Sequence, residues 1–176
     1  MAASAFHTVA LGLGSNISPT RHLTVALDAL HQRYGHLQTS SVFESEAVGF
    51  HGANFLNMVV LLETEETLPE MAQFLKGIET ANGRDLQAPR ARGRSIDIDI
   101  LLFDELQGAF GEITLPRPEI TENAFVLWPL SELLPDTVLP GASASLAAQW
   151  DAYDKSRQHL WPVDFNWRGR RLSSTR

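Results

Sequence analysis

The sequence predicts an α+β fold, an antiparallel sheet with helices packed on it, and three observations carry that prediction. Strand-like and helix-like stretches follow one another in the order strand, helix, strand, strand, helix, strand, which suits a sheet made of neighbouring hairpins and crossovers. Both helical stretches carry a single apolar stripe, so each offers one face to a sheet. With 44% apolar and 20% charged residues, a chain of 176 residues can also fill a core.

Each element has its own signal. Residues 6–13 read as a short buried strand running into Gly12-Leu13-Gly14-Ser15-Asn16. Pro19 opens a helix with Leu23, Leu27, Leu30 and Tyr34 at i, i+4, i+7 and i+11, and Gly35 is its stop. Residues 37–46 are extended, and residues 49–52 form a loop. From residue 55 to 63 the chain alternates, placing Phe55, Asn57, Val59 and Leu61 on one face. Thr67 and Glu70 have capping-box spacing, Pro69 stands in the first turn, and Met71, Leu75 and Ile78 form the buried stripe of a helix ended by Gly83. An arginine-rich stretch over 84–95 leads to a strand over 96–103. A short strand, 113–115, ends at Pro116, and a helix after Asn123 carries Phe125, Leu127 and Leu130, with Pro129 interrupting it. The expected core is a split βαβ, or ferredoxin-like, sandwich with two helices on one face of the sheet. The last 27 residues, from Trp150, hold three of the four tryptophans, and their pattern leaves open whether they pack on the sheet.

Charge and composition exclude several functions. Fourteen Lys and Arg against twenty-one Asp and Glu give −7, which argues against nucleic-acid binding. The absence of cysteine removes disulfides, zinc-thiolate sites and a thiol nucleophile. No apolar run exceeds the five residues of Met58-Val59-Val60-Leu61-Leu62, too short to span a bilayer, and the first residues lack the pattern of a secretion signal. A soluble, cytoplasmic monomer with no membrane partner is the expectation.

The strongest local signal for chemistry is Ser95-Ile96-Asp97-Ile98-Asp99-Ile100-Leu101-Leu102-Phe103. Residues two apart on a strand point the same way, so Asp97 and Asp99 project together. Adjacent carboxylates repel unless a cation shares them, and Mg²⁺ bound together with substrate phosphates answers that need; a plain solvent-facing strand is the alternative. Just upstream stand Arg84, Arg90, Arg92 and Arg94 with only Asp85 opposing them, a basic loop suited to polyphosphate. Gly12-x-Gly14 is a weak nucleotide signal and reads as a tight strand-to-helix turn near a phosphate. Phe55 and Asn57 on one strand face suit a flat heteroaromatic with an amide-like edge, or equally a core ring beside a surface amide. The six histidines show no metal spacing.

In order along the chain, Gly14-Ser15-Asn16, Phe55-Leu56-Asn57, Glu79 with Gly83-Arg84, Arg94-x-x-Asp97-x-Asp99-Ile100-Leu101-Leu102-Phe103, and Leu115-Pro116 before Phe125-Val126-Leu127-Trp128-Pro129-Leu130 resemble the 6-hydroxymethyl-7,8-dihydropterin pyrophosphokinase family over about residues 8–140. The resemblance implies one ferredoxin-like domain over 1–176, with a core of about 6–140 and a C-terminal extension of about 141–176. It implies transfer of pyrophosphate from ATP, the co-substrate, to the hydroxymethyl oxygen of a reduced pterin in folate biosynthesis. Asp97 and Asp99 would hold two Mg²⁺ ions, with Arg84 and Arg94 completing the catalytic set. Phe55 and Phe125 would sandwich the pterin, Asn57 would bond its edge, and the backbone near Ser45 to Val48 would complete that pocket. Lys76, Glu79, Arg84, Arg92, Arg94, Ile100, Thr114 and Arg117 would meet ATP.

The chain departs from the family pattern on the nucleotide side. Leu86 and Asn123 stand where arginines are usual, Ala91-Arg92-Gly93 replaces an aromatic and a proline, Lys76 replaces a glutamine, and Arg117 replaces a histidine. Arg90, Arg92 and Arg117 offer substitute cations. Three other readings therefore stay open at the level of sequence: a paralogue acting on a modified pterin, a pterin binder without catalysis, and a ferredoxin-like module that binds RNA or a protein.

Overall fold

The computed structural model describes residues 6–46, 53–83 and 95–175. β1 (His7–Ser15) runs through the centre of an antiparallel sheet, between β4 (Phe55–Thr64) and β5 (Asp97–Phe103). β2 (Gln38–Thr39) and β3 (Val42–Ser45) both pair with β4. The order β5-β1-β4-β3 is that of the split βαβ core which the succession of elements predicts.

The first helix, α1 (Pro19–Tyr34), buries Leu23, Ala26, Leu27 and Leu30. It stops at Gly35, whose φ of +81° no β-carbon obstructs and whose N–H donates to the His31 carbonyl at 2.9 Å. The second, α2 (Leu68–Ala81), starts in the capping box: the Glu70 N–H donates to Thr67 Oγ1 at 3.3 Å, and the Thr67 N–H donates to Glu70 Oε1 at 3.0 Å. Its buried Leu68, Met71, Leu75 and Ile78 join those of α1 against Leu11, Leu13, Val60, Ile98 and Ile100 on one sheet face. Side chains of this size contribute about 1.5–3 kcal/mol each when fully buried.

That expectation needs one correction, because the opposite face is covered too. Ala10, Val59, Leu61, Leu101 and Leu102 form an apolar patch there, and leaving it in water would forfeit their burial. Three further helices, α3 (Glu119–Glu122), α4 (Ala124–Leu133) and α5 (Leu146–Ala152), supply the cover through Ile120, Leu127, Leu130 and Leu146. Pro129 does not interrupt α4. The helix runs through it with the ring buried, at the cost of the one intrahelical bond that its missing N–H would make to residue 125.

A register shift in the β1–β5 pairing decides which face carries the acids. Val9 pairs with Phe103 and Ala10 with Leu102, but Leu11 pairs with Ile100, so Leu101 is the extra residue of a bulge. Without it Asp99 would face Leu13 and be driven into the α1–α2 core. With it Gly12 meets Asp99 and Gly14 meets Asp97, while Leu101 and Leu102 both reach the second face.

The C-terminal segment packs. β8 (Leu160–Val163) adds to the sheet beside β3, with Pro162 opposite Phe43. A hairpin of β9 (Phe165–Trp167) and β10 (Arg170–Ser173) turns at Arg168 and Gly169, both at positive φ, the geometry of a type I′ turn. It docks on α1 through Trp167, whose Nε1–H donates to Asp28 Oδ1 at 2.9 Å. Among the described residues no helix is long and apolar enough to cross a membrane.

Removing the α2 cap, Thr67→Ala, is expected to cost about 1 kcal/mol. Urea unfolding followed by circular dichroism checks it through a lower midpoint at unchanged slope.

Candidate active site

Facing residues on adjacent antiparallel strands share a side of the sheet, so the β4–β1–β5 pairings make two rows. Asn57, Gly14 and Asp97 form the first, and Val59, Gly12 and Asp99 the second. The middle member of each row is a glycine, so bare backbone separates the amide strand from the acidic strand. A β-carbon on Gly14 would lie 3.1 Å from Asn57 Oδ1 and 3.8 Å from the Phe55 ring. Here a second correction arises. Gly12 and Gly14 are not a phosphate-binding turn; both lie within β1 and form the floor of a cavity.

That cavity has a volume of about 290 Å³. Ser45 and Glu46 at the end of β3, and Phe55 and Asn57 at the start of β4, line one end. Asp97, Asp99 and Leu101 come from β5. Arg117, Glu119, Asn123, Phe125 and Val126 come from the stretch that covers the sheet. Asn57 and Ser45 are both buried, and Asn57 Nδ2 donates to Ser45 Oγ at 2.7 Å. One amide hydrogen is thereby spent on fixing the group, which keeps acceptor and donor capacity for a ligand edge. Phe55 and Phe125 are half-buried, one ring on the sheet and one on the helix that roofs it.

The acidic end holds a cation of its own. Arg117 Nη2 lies 3.5 Å from Asp99 Oδ1, and Arg117 Nε lies 3.1 Å from Glu119 Oε2, an oxygen shielded from solvent and without a hydrogen-bond partner. The Arg117 backbone N–H donates to the Leu101 carbonyl at 3.0 Å, tying this bridge to the bulged residue of β5. Asp97 and Asp99 are half-buried and open to the same cavity. Among the described residues no cluster of three or more His, Asp or Glu is arranged to hold a metal. Two carboxylates alone suit a hard divalent ion whose remaining positions are filled by phosphate and water, not a closed protein cage.

A sequence model described as 7,8-dihydro-6-hydroxymethylpterin-pyrophosphokinase (HPPK) matches residues 10–135, well over half of the chain. The chain belongs to that family. Relatives named 2-amino-4-hydroxy-6-hydroxymethyldihydropteridine pyrophosphokinase include one from Porphyromonas gingivalis, 38% identical over 136 residues covering 72% of this chain and 90% of that protein. One from Bacillus subtilis is 35% identical over 127 residues, covering 70% and 75%, and one from Synechocystis is 29% identical over 166 residues, covering 89% and 80%. Among solved structures, an HPPK-DHPS in complex with substrates superposes with a TM-score of 0.69 at 12% identity, covering 85% of this chain and 44% of that one. Wild-type Plasmodium falciparum HPPK-DHPS with pteroate gives 0.68 at 14%, covering 84% and 42%. The chain spans under half the length of those two chains, and at such identity the likeness speaks for the fold.

Of the residues that resemblance to the pyrophosphokinases singles out, Ser45, Phe55, Asn57, Asp97, Asp99, Arg117 and Phe125 come together around this cavity. Four others lie outside its lining, around β5. Lys76 on α2 is exposed and 3.9 Å from Glu112, at the turn joining β6 (Gly108–Phe110) to β7 (Ile113–Leu115). Glu79 is buried, and its Oε2 accepts the Ile98 N–H at 2.9 Å. Ile100 packs in the α1–α2 core, and Thr114 is exposed on β7. Val48, Arg84, Arg92 and Arg94 lie outside the described residues, as do Arg90 and the two loops at 49–52 and 84–94. Sequence reasoning missed the glycine floor and the Arg117–Glu119 pair. Strand alternation applied to Gly12 and Gly14 is the signal that finds the floor; nothing local announces the pair.

Arg117→Ala is expected to lower the unfolding free energy at neutral pH by about 0.5–1 kcal/mol, because the partners are partly exposed. Thermal unfolding at neutral pH, side by side with the native chain, measures it.

Proposed function

We propose that this cavity carries out the reaction of the family, transfer of pyrophosphate from ATP to 6-hydroxymethyl-7,8-dihydropterin in folate synthesis. The observation that supports it most is the row Asn57, Gly14, Asp97: an amide, a flat floor and an acid side by side on one sheet face. A planar bicyclic ring lies over Gly12 and Gly14 because no β-carbon rises there. Its amide-like edge meets Asn57, whose orientation Ser45 fixes, and Phe55 and Phe125 flank its faces. An edge bonded at Asn57 directs the hydroxymethyl group toward the acids on β5.

There Asp97 and Asp99 are the residues to hold Mg²⁺. The chemistry the metal supplies when bound is positive charge on the phosphate oxygens, which eases the approach of an oxygen nucleophile. ATP lies with its phosphates at these acids and its remainder along the outer edge of β5, where Lys76, Glu79, Ile100 and Thr114 gather. Arg84, Arg92 and Arg94 bring forks for the polyphosphate, and Val48 completes the pterin end. Arg117, held by Asp99 and Glu119, is a cation within reach of arriving phosphate. The bond that forms joins the hydroxymethyl oxygen to the β-phosphorus of ATP. The bond that breaks joins that phosphorus to the oxygen bridging to the α-phosphate; AMP departs and the hydroxyl proton is released. Positioning and charge, with no covalent enzyme intermediate, account for the acceleration.

Incubating the protein with ATP, Mg²⁺ and the hydroxymethyl pterin should release AMP in step with pterin diphosphate. No AMP from folded protein would overturn the reading. Asp97→Ala and Asp99→Ala should each reduce turnover by at least about 10³-fold, as loss of a ligand to a charge-neutralising metal does. Asn57→Ala should weaken pterin binding about tenfold while leaving ATP binding within twofold, measured by calorimetry on each ligand separately.

A further inference from the structure

The family match ends at residue 135, yet the chain beyond it reaches back to the corner where α4 begins. Gln158, between α5 and β8, is partly buried there. Its Oε1 accepts the Ala124 N–H at 2.7 Å, and its Nε2 donates to Asn123 Oδ1 at 2.9 Å. Asn123 stands at the N-cap of α4, but its own side chain makes no capping bond, so Gln158 supplies the acceptor from a distant segment. Tyr153 Oη donates to the Glu122 carbonyl at 2.8 Å one residue earlier. Trp150 stacks on Trp128 with centroids 4.9 Å apart and planes 17° apart, and Trp128 in turn meets Phe43 at 4.5 Å. The first turn of α4 is thus gripped at its cap, just before its cap and one turn along. It is also the turn that presents Asn123, Phe125 and Val126 to the cavity, whereas Gln158 does not line it.

We propose that Gln158 is a positioning residue of the active site: by capping α4 from the C-terminal segment it holds the Phe125 wall in the geometry that receives the pterin ring. The inference rests on the reading of the cavity as the pterin site. A wall already ordered need not be ordered on binding, so the benefit falls on pterin affinity and not on the transfer step. Without the cap, the Ala124 N–H loses its acceptor and the turn carrying Phe125 loosens.

The test measures binding of oxidised 6-hydroxymethylpterin, and separately of a non-hydrolysable ATP analogue with Mg²⁺, by calorimetry on the full chain, together with KM and kcat. Gln158→Leu keeps the size and removes both bonds. It should raise the pterin Kd and KM about five- to twentyfold, with kcat and nucleotide affinity within twofold. Gln158→Glu keeps an oxygen for the Ala124 N–H, and the Asn123 amide can turn to donate to it, so affinity should return to within about threefold of the native value. If Gln158→Leu does not fold, Gln158→Asn, too short to reach Ala124, takes its place. Unchanged pterin binding in Gln158→Leu, alongside a large loss in Phe125→Ala, would overturn the proposal and leave the pterin pocket standing. An equal loss for pterin and nucleotide, or no recovery with glutamate, would overturn it in favour of a general folding role. Unchanged pterin binding in Phe125→Ala would sink the pocket reading itself.

Discussion

The single bulged residue in β5 governs everything chemical about this molecule. A strand has only two sides, and one residue more or less exchanges them. Leu101 is the residue that makes the exchange, and it lets two hydrophobic demands be met by one strand: Ile98 and Ile100 face α1 and α2, while Leu101 and Leu102 face α4 and its neighbours. The carboxylates of Asp97 and Asp99 then emerge beside Gly14 and Gly12 instead of entering the core, where burying charge would be costly. Arg117 is moored to the carbonyl of that same residue, so the bulge and the cation it positions are parts of one construction.

The cavity exists because two layers fail to meet. The second face of the sheet is closed over Val59, Leu61 and Leu102 by α4 and α5, but further along the same strands the glycines withdraw and the helical layer stands off. Fixed side chains line the gap: Asn57 is bonded to Ser45, Arg117 is bridged to Asp99 and Glu119, and α4 is capped from the C-terminal segment. Such pre-ordering concentrates the entropic cost of a binding site in the folding reaction, where the core offsets it.

Much of the fold was legible because its signals are local. Pro19 and Gly35 bracket α1, Thr67 and Glu70 open α2, and alternation assigns the faces of β4. The parts that were not legible depend on residues far apart in sequence. Nothing near Leu101 states that β1 will pair across it with a shift, because the shift is decided by which residues find apolar neighbours on each side. The second helical layer was hidden for a similar reason: α3 and α5 are of four and seven residues, too short to show a period. Of the site, the acidic pair and the Phe55–Asn57 pair could be read by counting in twos. Glycine escaped the same count because it has no side chain to direct, and a motif-based reading of Gly12 and Gly14 as a turn took its place. Gln158 acts only through partners 34 and 35 residues away, and no spacing rule reveals it.

Pro162 has a meaning for the molecule's behaviour among its own copies. It sits in the outermost strand of the sheet, opposite Phe43, and it has no N–H to offer. A strand from another molecule seeking to extend the sheet past β8 would meet a missing donor midway along a four-residue edge. The C-terminal addition therefore ends the sheet as well as widening it, and makes that border a poor template for strand-to-strand aggregation.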